Sequence, residues 1–452
     1  MHRYFLIIVS LLFVWFCANG EGGRAQTSTN ISTENVGQLE IQSTFALPAD
    51  ASPTYIEWLS EAGNLAAIHN GFAEPGVFVI SMDESDAQPL FLSGRGEFST
   101  DGQYWATQEL TERGAVTTIY ETTDGEIVRE LYAEGEFVEA SVVGFSIDNN
   151  ILVSALAGPS FFGQVNFWDL ETGDLLDNRQ VPEHPTSIDF SADGNYVALA
   201  WQGGRVIVWD VDEQGPAIQE RDDHANVATA RFGGDGDFVI SSGVDRVISL
   251  WLTEAGFFVL FQQGHSDLIY AMLSSNGSRL VVSDAAVRQG QSYTVLNIYD
   301  VDTAIDIQSD RVYGTEVPAE QERDILVAEH ALPDDGTDFL VPGSVGFNAS
   351  ENILGYWNSG SQILLIDLNS GEQLRTIETG SDIHGAVFSP TTNLLVSWHE
   401  NGEIDFWNPQ DGELLHEINA SPIKDIAFSA DGTRLIILHE DRTLNVWRLS
   451  VD

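Results

Sequence analysis

Apolar and polar positions alternate along most of this chain in runs of four to seven residues, broken by Gly, Asp and Asn. The stretch from His224 to Trp251 shows the pattern best: VATARF, FVISSG and VISLW, separated by GGDGD and VDR. A period of two with such punctuation predicts antiparallel strands joined by tight turns. The pattern recurs from Val36 onward. Each unit closes on an apolar strand ending in a bulky residue: Ile80, Tyr120, Trp168, Trp209, Trp251, Tyr299, Ile366, Trp407 and Trp447. These closers are 40, 48, 41, 42, 48, 67, 41 and 40 residues apart. A period near 41 holds four short strands with turns, so the chain reads as an array of one structural unit.

Four units also carry a Phe-Ser-x-Asp-Gly-like hairpin: Phe98 to Gly102, Phe190 to Gly194, Phe232 through Asp235-Gly236, and Phe428 to Gly432. Glycine suits such a turn because it accepts positive φ without strain. With literal Trp-Asp pairs at Trp168-Asp169 and Trp209-Asp210, the chain resembles the WD40 repeat family of β-propellers over roughly Val36 to Asp452. The fold expected is an all-β single propeller of four-stranded antiparallel blades, nine by repeat count with eight the alternative. The resemblance further assigns His224, Ser241, Asp245 and Trp251 to a hydrogen-bond network within one blade, a structural rather than catalytic set. The chain ends just after a third strand, at LNVWRLSVD, whereas Gln38–Leu47 is an extended run with no unit of its own. That N-terminal segment is expected to complete the last blade and close the ring.

Ahead of the repeats, residues 1–20 read as a secretory signal peptide. Tyr4–Cys17 is an apolar run of 14 residues, short for a membrane span, and Ala18-Asn19-Gly20 offers a cleavage site. Cys17 is the only cysteine, so a mature chain would hold no disulfide. Lipid anchoring through Cys17 is disfavoured by Phe16 beside it. Residues 21–35 are polar and small and read as a flexible linker whose removal leaves the fold intact; 36–452 form the propeller. A secreted or extracytoplasmic setting, with no transmembrane segment after processing and a bacterial source, is the expectation.

Charge narrows the partners. With 69 acids against 19 bases, the formal net charge is −50, and Lys424 is the lone lysine. Such a surface repels nucleic acid, whose binding needs clustered cations. The acids of Asp334, Asp335 and Asp338 lack the ligand spacing of an EF-hand loop, so neither metal nor cofactor is assigned. No G-x-S-x-G, H-E-x-x-H or cysteine cluster occurs, and the chain is not expected to be an enzyme.

In four-stranded blades with strands a to d, the b–c and d–a loops share one face. The long excursions fall there by this reading: 69–76, 157–163, 285–293 and 315–342, against uniformly short turns on the other face. Long loops on a rigid scaffold tend to carry function. The candidate binding face is therefore Phe72, Phe161, Phe162, Arg288 and Tyr293 on the loops, with Trp201, Trp357 and Trp398 at the ends of b strands. Val317–Leu332 has the spacing of an amphipathic helix, a solvated lid being the alternative. A non-catalytic scaffold binding a protein partner through this face is expected; a glycan stacking on the tryptophans is the second reading.

Overall fold

The computed structural model describes residues 30–449 except 60–63, 72–73, 83–87, 160–161, 182–183, 212–218, 223–227, 234–235, 244, 246, 254–257, 264–269, 289–290, 313–324, 334–343 and 359. The described residues form nine four-stranded antiparallel sheets arranged as a nine-bladed propeller. Eight blades take their strands in sequence order. In the ninth, the order is Leu39–Ala46, Thr443–Leu449, Leu435–His439, Ile423–Phe428. The N-terminal strand thus supplies strand d of the last blade, as expected. It pairs antiparallel from Leu39 opposite Leu449 to Ala46 opposite Thr443, with one irregularity between Ile41 and Ser43. Each of the nine sequence closers lies within the last three residues of a strand c.

Closure reaches further upstream than the sequence reading allowed. The Ile31 backbone N–H donates to the Gly432 carbonyl (2.9 Å), and Thr392 Oγ1 donates to the Ile31 carbonyl (2.8 Å). The Ile31 side chain is fully buried with Val36, Leu39, Leu394, Ile404 and Leu435 between blades 8 and 9. Residues 30–35 therefore belong to the clasp, not to a linker. Deleting them removes a buried isoleucine, a loss of about 2–5 kcal/mol for its side chain.

The a–b hairpins show why Asp-Gly recurs. Gly102, Gly194 and Gly432 sit at φ +71°, +75° and +67°. The preceding serines donate to Asp101, Asp193 and Asp431 at 2.6–2.7 Å. At Gly102 a Cβ would lie 1.9 Å from the Leu59 carbonyl oxygen. In blades 3 and 7 the same turn position is Asn149 (φ 55°) and Glu351 (φ 48°). Both side chains reach back to the preceding blade, Asn149 Oδ1 accepting from the Thr100 N–H (3.1 Å) and Glu351 Oε2 from Ser275 Oγ (2.6 Å). A left-handed backbone without glycine costs roughly 1–3 kcal/mol; these inter-blade bonds offset it.

Two excursions differ from the sequence reading. Residues 285–288 and 291–293 lie in strands: Arg279–Arg288 and Gln291–Asp300 continue pairing to Arg288 opposite Gln291. The insertion of blade 6 lies between strands c and d, so the face read as having only short turns carries it. Its helix α1 (Val301–Val312) starts at Asp300, whose Oδ1 accepts the Thr303 N–H at 2.7 Å as an N-cap. Val301, Ala304 and Ile307 are buried, the first two packing with Phe238 and Leu250 of blade 5. The expected helix over Val317–Leu332 is overturned in its second half, where Leu326–Pro333 is strand d. Its apolar positions pair with strand c instead, Leu332 opposite Thr294.

Candidate functional site

Every blade places one residue of strand b directly opposite one of strand c, two positions before the closer. In blade 5 the pair is Ser241 and Ser249, followed by Trp251. Ser241 and Trp251 are fully buried. Asp245 is only half-buried and sits in the b–c turn, where its Oδ1 accepts the Val247 N–H at 3.2 Å. His224 lies outside the described residues. Trp251 Nε1 has no hydrogen-bond partner among the described residues, so the expected bond from the indole to Ser241 is not made there.

Blade 8 holds the complete network. Trp407 Nε1 donates to Ser397 Oγ (2.9 Å), which lies 3.4 Å from His399 Nε2. The same imidazole nitrogen meets Asp405 Oδ2 at 3.2 Å, and His399 Nδ1 meets the Asp382 carbonyl at 3.1 Å. His399 and Ser397 are fully buried and Asp405 nearly so. Burial opposes protonation of His399, but the bonds to Asp405 and the Asp382 carbonyl outweigh it and raise its pKa. Burial pushes the Asp405 carboxyl up, with Glu403 and Glu417 adding to this against the pull of His399. Blade 9 repeats part of the scheme, His439 Nε2 meeting Asn445 Nδ2 at 2.9 Å. The signal for both was the spacing His-x5-Asp/Asn-x-Trp at 399–407 and 439–447, which the family pattern passed over. A serine buried inside a strand and bonded to an indole is placed to link strands b and c, and it lacks the exposed oxygen that a nucleophile needs.

Strands a carry a second charged group. Glu57 Oε2 meets His69 Nε2 at 2.8 Å, and Arg231 lies 3.5 Å from Asp189. Asp189 Oδ2 accepts the Phe232 N–H (2.7 Å), and Asp425 Oδ2 accepts the Ile56 N–H (2.8 Å), tying strand a of one blade to the next. Burial first, then Glu57, pushes Glu97 up to about 8; burial brings Asp425 to about 6.

The predicted loop face divides. Trp201, Trp357 and Trp398 are core residues, at most 7% exposed, because the register turns them between blades. They present no ring for a sugar. Tyr293 is half-buried on a strand, and Arg288 ends one; Phe72 and Phe161 lie outside the described residues, as do Asp334, Asp335 and Asp338. Phe162 is 60% exposed, and the Gly158 N–H donates to its carbonyl (2.6 Å). Sequence reading missed its neighbours on the same face of blades 2 and 3: Leu110 (42%), Tyr132 (62%) and Val138 (57%). Below Tyr132 lies a depression of about 210 Å³ lined by Thr111, Arg113, Gly114, Ala115, Ala133 and Glu134. Other exposed apolar residues lie toward the opposite face: Ile127, Val128, Ile147, Leu175 and Leu176 on blades 2 and 3, and Leu374 and Leu414 on blades 7 and 8.

With this geometry in place, residues 215–251 and 412–448 match the WD40 family, described as WD domain, G-beta repeat. Among curated proteins, the chain is similar to eukaryotic translation initiation factor 3 subunit I of Xenopus laevis, 22% identical over 48% of this chain and 62% of that protein. It is also similar to anaphase-promoting complex subunit cdc20 of Dictyostelium discoideum, 22% identical over 63% of this chain and 53% of that protein. A third relative, meiotic recombination protein rec14 of Schizosaccharomyces pombe, is 30% identical over 34% of this chain and 49% of that one. The chain thus spans between half and two thirds of the length of the first two relatives. These relatives are eukaryotic and lend no support to a bacterial source. A solved structure, the computationally designed Ika8 protein, covers 89% of this chain at 18% identity with a TM-score of 0.48. No helix among the described residues is long and apolar enough to cross a membrane.

Proposed function

We propose that this propeller is a non-catalytic scaffold that binds a protein partner through the b–c and d–a face of blades 2 and 3. The carrying observation is the grouping of Leu110, Tyr132, Val138 and Phe162, each more than two fifths exposed, on adjacent blades of one face. Scattered exposed apolar residues are ordinary, but a grouped set on a rigid scaffold marks an interaction site. Arg113, one of only 19 bases in the chain, stands at its edge and favours an acidic rim on the partner. Two of the relatives are named as subunits of larger assemblies, in keeping with a scaffold. The apolar run Tyr4–Cys17 and the charge of −50 support an extracytoplasmic setting for that partner.

The test is cross-linking of the full chain in extract of its own source, beside the variant Tyr132→Ser/Val138→Ser/Phe162→Ser. Truncating exposed side chains leaves the melting temperature within a degree or two, while removing hot-spot residues costs about 2 kcal/mol each, a factor of roughly 30 in affinity. A partner captured equally by both proteins sinks the proposal. Cell fractionation tests the setting: a product found in the cytoplasm with residues 1–20 retained overturns it.

A further inference from the structure

Strands c and d of blade 8 bring three carboxylates to one face. Asp405 stands directly opposite Glu417, and Glu403 precedes it by two residues on the same strand. One oxygen of each lies within 4.8 Å of one oxygen of both others. Among the described residues, no guanidinium or ammonium pairs with any of the three; His399 meets Asp405 through Oδ2. A cluster of acids is common on so acidic a surface, and would mean little if all three were exposed. Here one of the three carboxylates is buried. The Asp405 side chain is 3% exposed, and its Oδ1 has no hydrogen-bond partner among the described residues. A buried carboxylate oxygen without a donor is costly and calls for a positively charged neighbour.

We propose that Glu403, Asp405 and Glu417 bind one calcium ion. Calcium takes oxygen ligands at about 2.3–2.6 Å, so oxygens on opposite sides of one ion stand at most about 5 Å apart. The 4.8 Å span of the cluster fits that limit. The remaining acceptors are already oriented. Glu403 Oε2 accepts from Asn401 Nδ2 (3.0 Å) and Ser381 Oγ (3.4 Å), and Glu417 Oε1 from Asn419 Nδ2 (2.9 Å). Exposed Glu417 gives the ion its entry, and water completes the shell. Magnesium fits less well, because it demands octahedral geometry and gives up its water reluctantly. The ion would join strands c and d at the blade that carries the complete polar network, and so would stiffen the outer edge of that network.

Calcium chloride titrated calorimetrically into the full chain at 0.15 M ionic strength tests the proposal. The unspecific uptake of an acidic surface is separated by two single variants of the same strand, Glu417→Gln and Glu413→Gln. The expected result is one saturable site with Kd of about 10⁻⁴–10⁻³ M, as for weak extracellular sites. Glu413→Gln leaves it unchanged, and Glu417→Gln weakens it on the order of tenfold. Calcium also raises the melting temperature of the wild type by more than that of Glu417→Gln. Asp405→Asn, where it folds, loses the saturable phase. Uptake indistinguishable among wild type, Glu417→Gln and Glu413→Gln overturns the inference, as does a full saturable phase in Asp405→Asn.

Discussion

Blades 5 and 8 share one strand spacing and differ in what fills the space between strands b and c. Each sets a buried serine ten residues before its tryptophan, Ser241 before Trp251 and Ser397 before Trp407. Opposite that serine stands Ser249 in blade 5 and Asp405 in blade 8. Two residues further along strand b, blade 5 has Gly243 where blade 8 has His399. The consequences are local and large. In blade 8 the serine accepts the indole N–H, and the imidazole links serine to carboxylate. In blade 5, Ser249 Oγ and Trp251 Nε1 are buried without a hydrogen-bond partner among the described residues. A tryptophan at the closing position therefore packs a blade whether or not its N–H is used; blade 3 bonds it without either residue, Trp168 Nε1 donating to Ser154 Oγ (2.9 Å) beside Asn166, and in blade 8 the histidine and aspartate extend the network beyond the serine.

The largest break of this comparison is His399→Ala. It leaves Asp405 buried beside Glu403 and Glu417 without the imidazole it pairs with. Removing one member of a buried pair costs about 3–5 kcal/mol, read as a lowered urea midpoint at unchanged slope. A loss below about 1 kcal/mol would mean that the imidazole contributes packing and no more. Ser397→Ala comes next, at about 1–3 kcal/mol, since it strands the Trp407 N–H.

Much of this molecule was legible beforehand, and the parts that were not share a cause. Period-two runs, bulky closers and Asp-Gly turns are local signals, so nine blades and the closing strand could be counted. Register is not local. Trp201, Trp357 and Trp398 fall at strand ends near long loops, yet pairing rotates them between blades, where the indoles fill the core. Asp245 matches the family position for a buried network, but its carboxylate caps the turn through the Val247 N–H, as Asn401 does for Glu403 in blade 8. Ile31 looked like linker because its neighbours are Asn, Ser and Thr; its burial depends on a groove made 360 residues later, beside Thr392 and Gly432. The apolar patch of blades 2 and 3 was half visible, through Phe162, because Tyr132 and Leu110 lie inside strands whose outward faces only pairing defines.

Acidity supplies a smaller effect that separates the networks from the strands a. The raised pKa of His399 gives stability that is fully present below about 6.5, its unfolded value, and lost as pH rises through the folded value. Glu97, raised to about 8 beside Glu57, Asp189 and Arg231, has the same sign: its folded form holds the proton longer, so stability declines as pH climbs from the unfolded value toward 8. The unfolding midpoint is thus expected to be higher at pH 6 than at pH 8. His399→Gln and Glu97→Gln should each flatten part of that slope. A slope unchanged in both variants would assign the dependence to other carboxylates.

The smallest expected effect sharpens the comparison most. Ser249 offers a hydroxyl to the interior of blade 5 and, among the described residues, receives nothing in return. Replacing it with alanine removes one buried polar atom and leaves no former partner stranded, so the penalty of an unmade bond disappears with it. The volume lost is one oxygen, too little to open a cavity. Ser249→Ala should therefore be neutral or stabilising by a few tenths of a kcal/mol, against the loss of 1–3 kcal/mol expected for Ser397→Ala. The two serines lie on different strands, so Ser241→Ala completes the set as the direct counterpart of Ser397→Ala. Urea midpoints of the three single variants, at one pH and salt, give the answer. If Ser249→Ala cost as much as Ser397→Ala, the interior of blade 5 would be wired by the hydroxyl after all, and the contrast with blade 8 would fall.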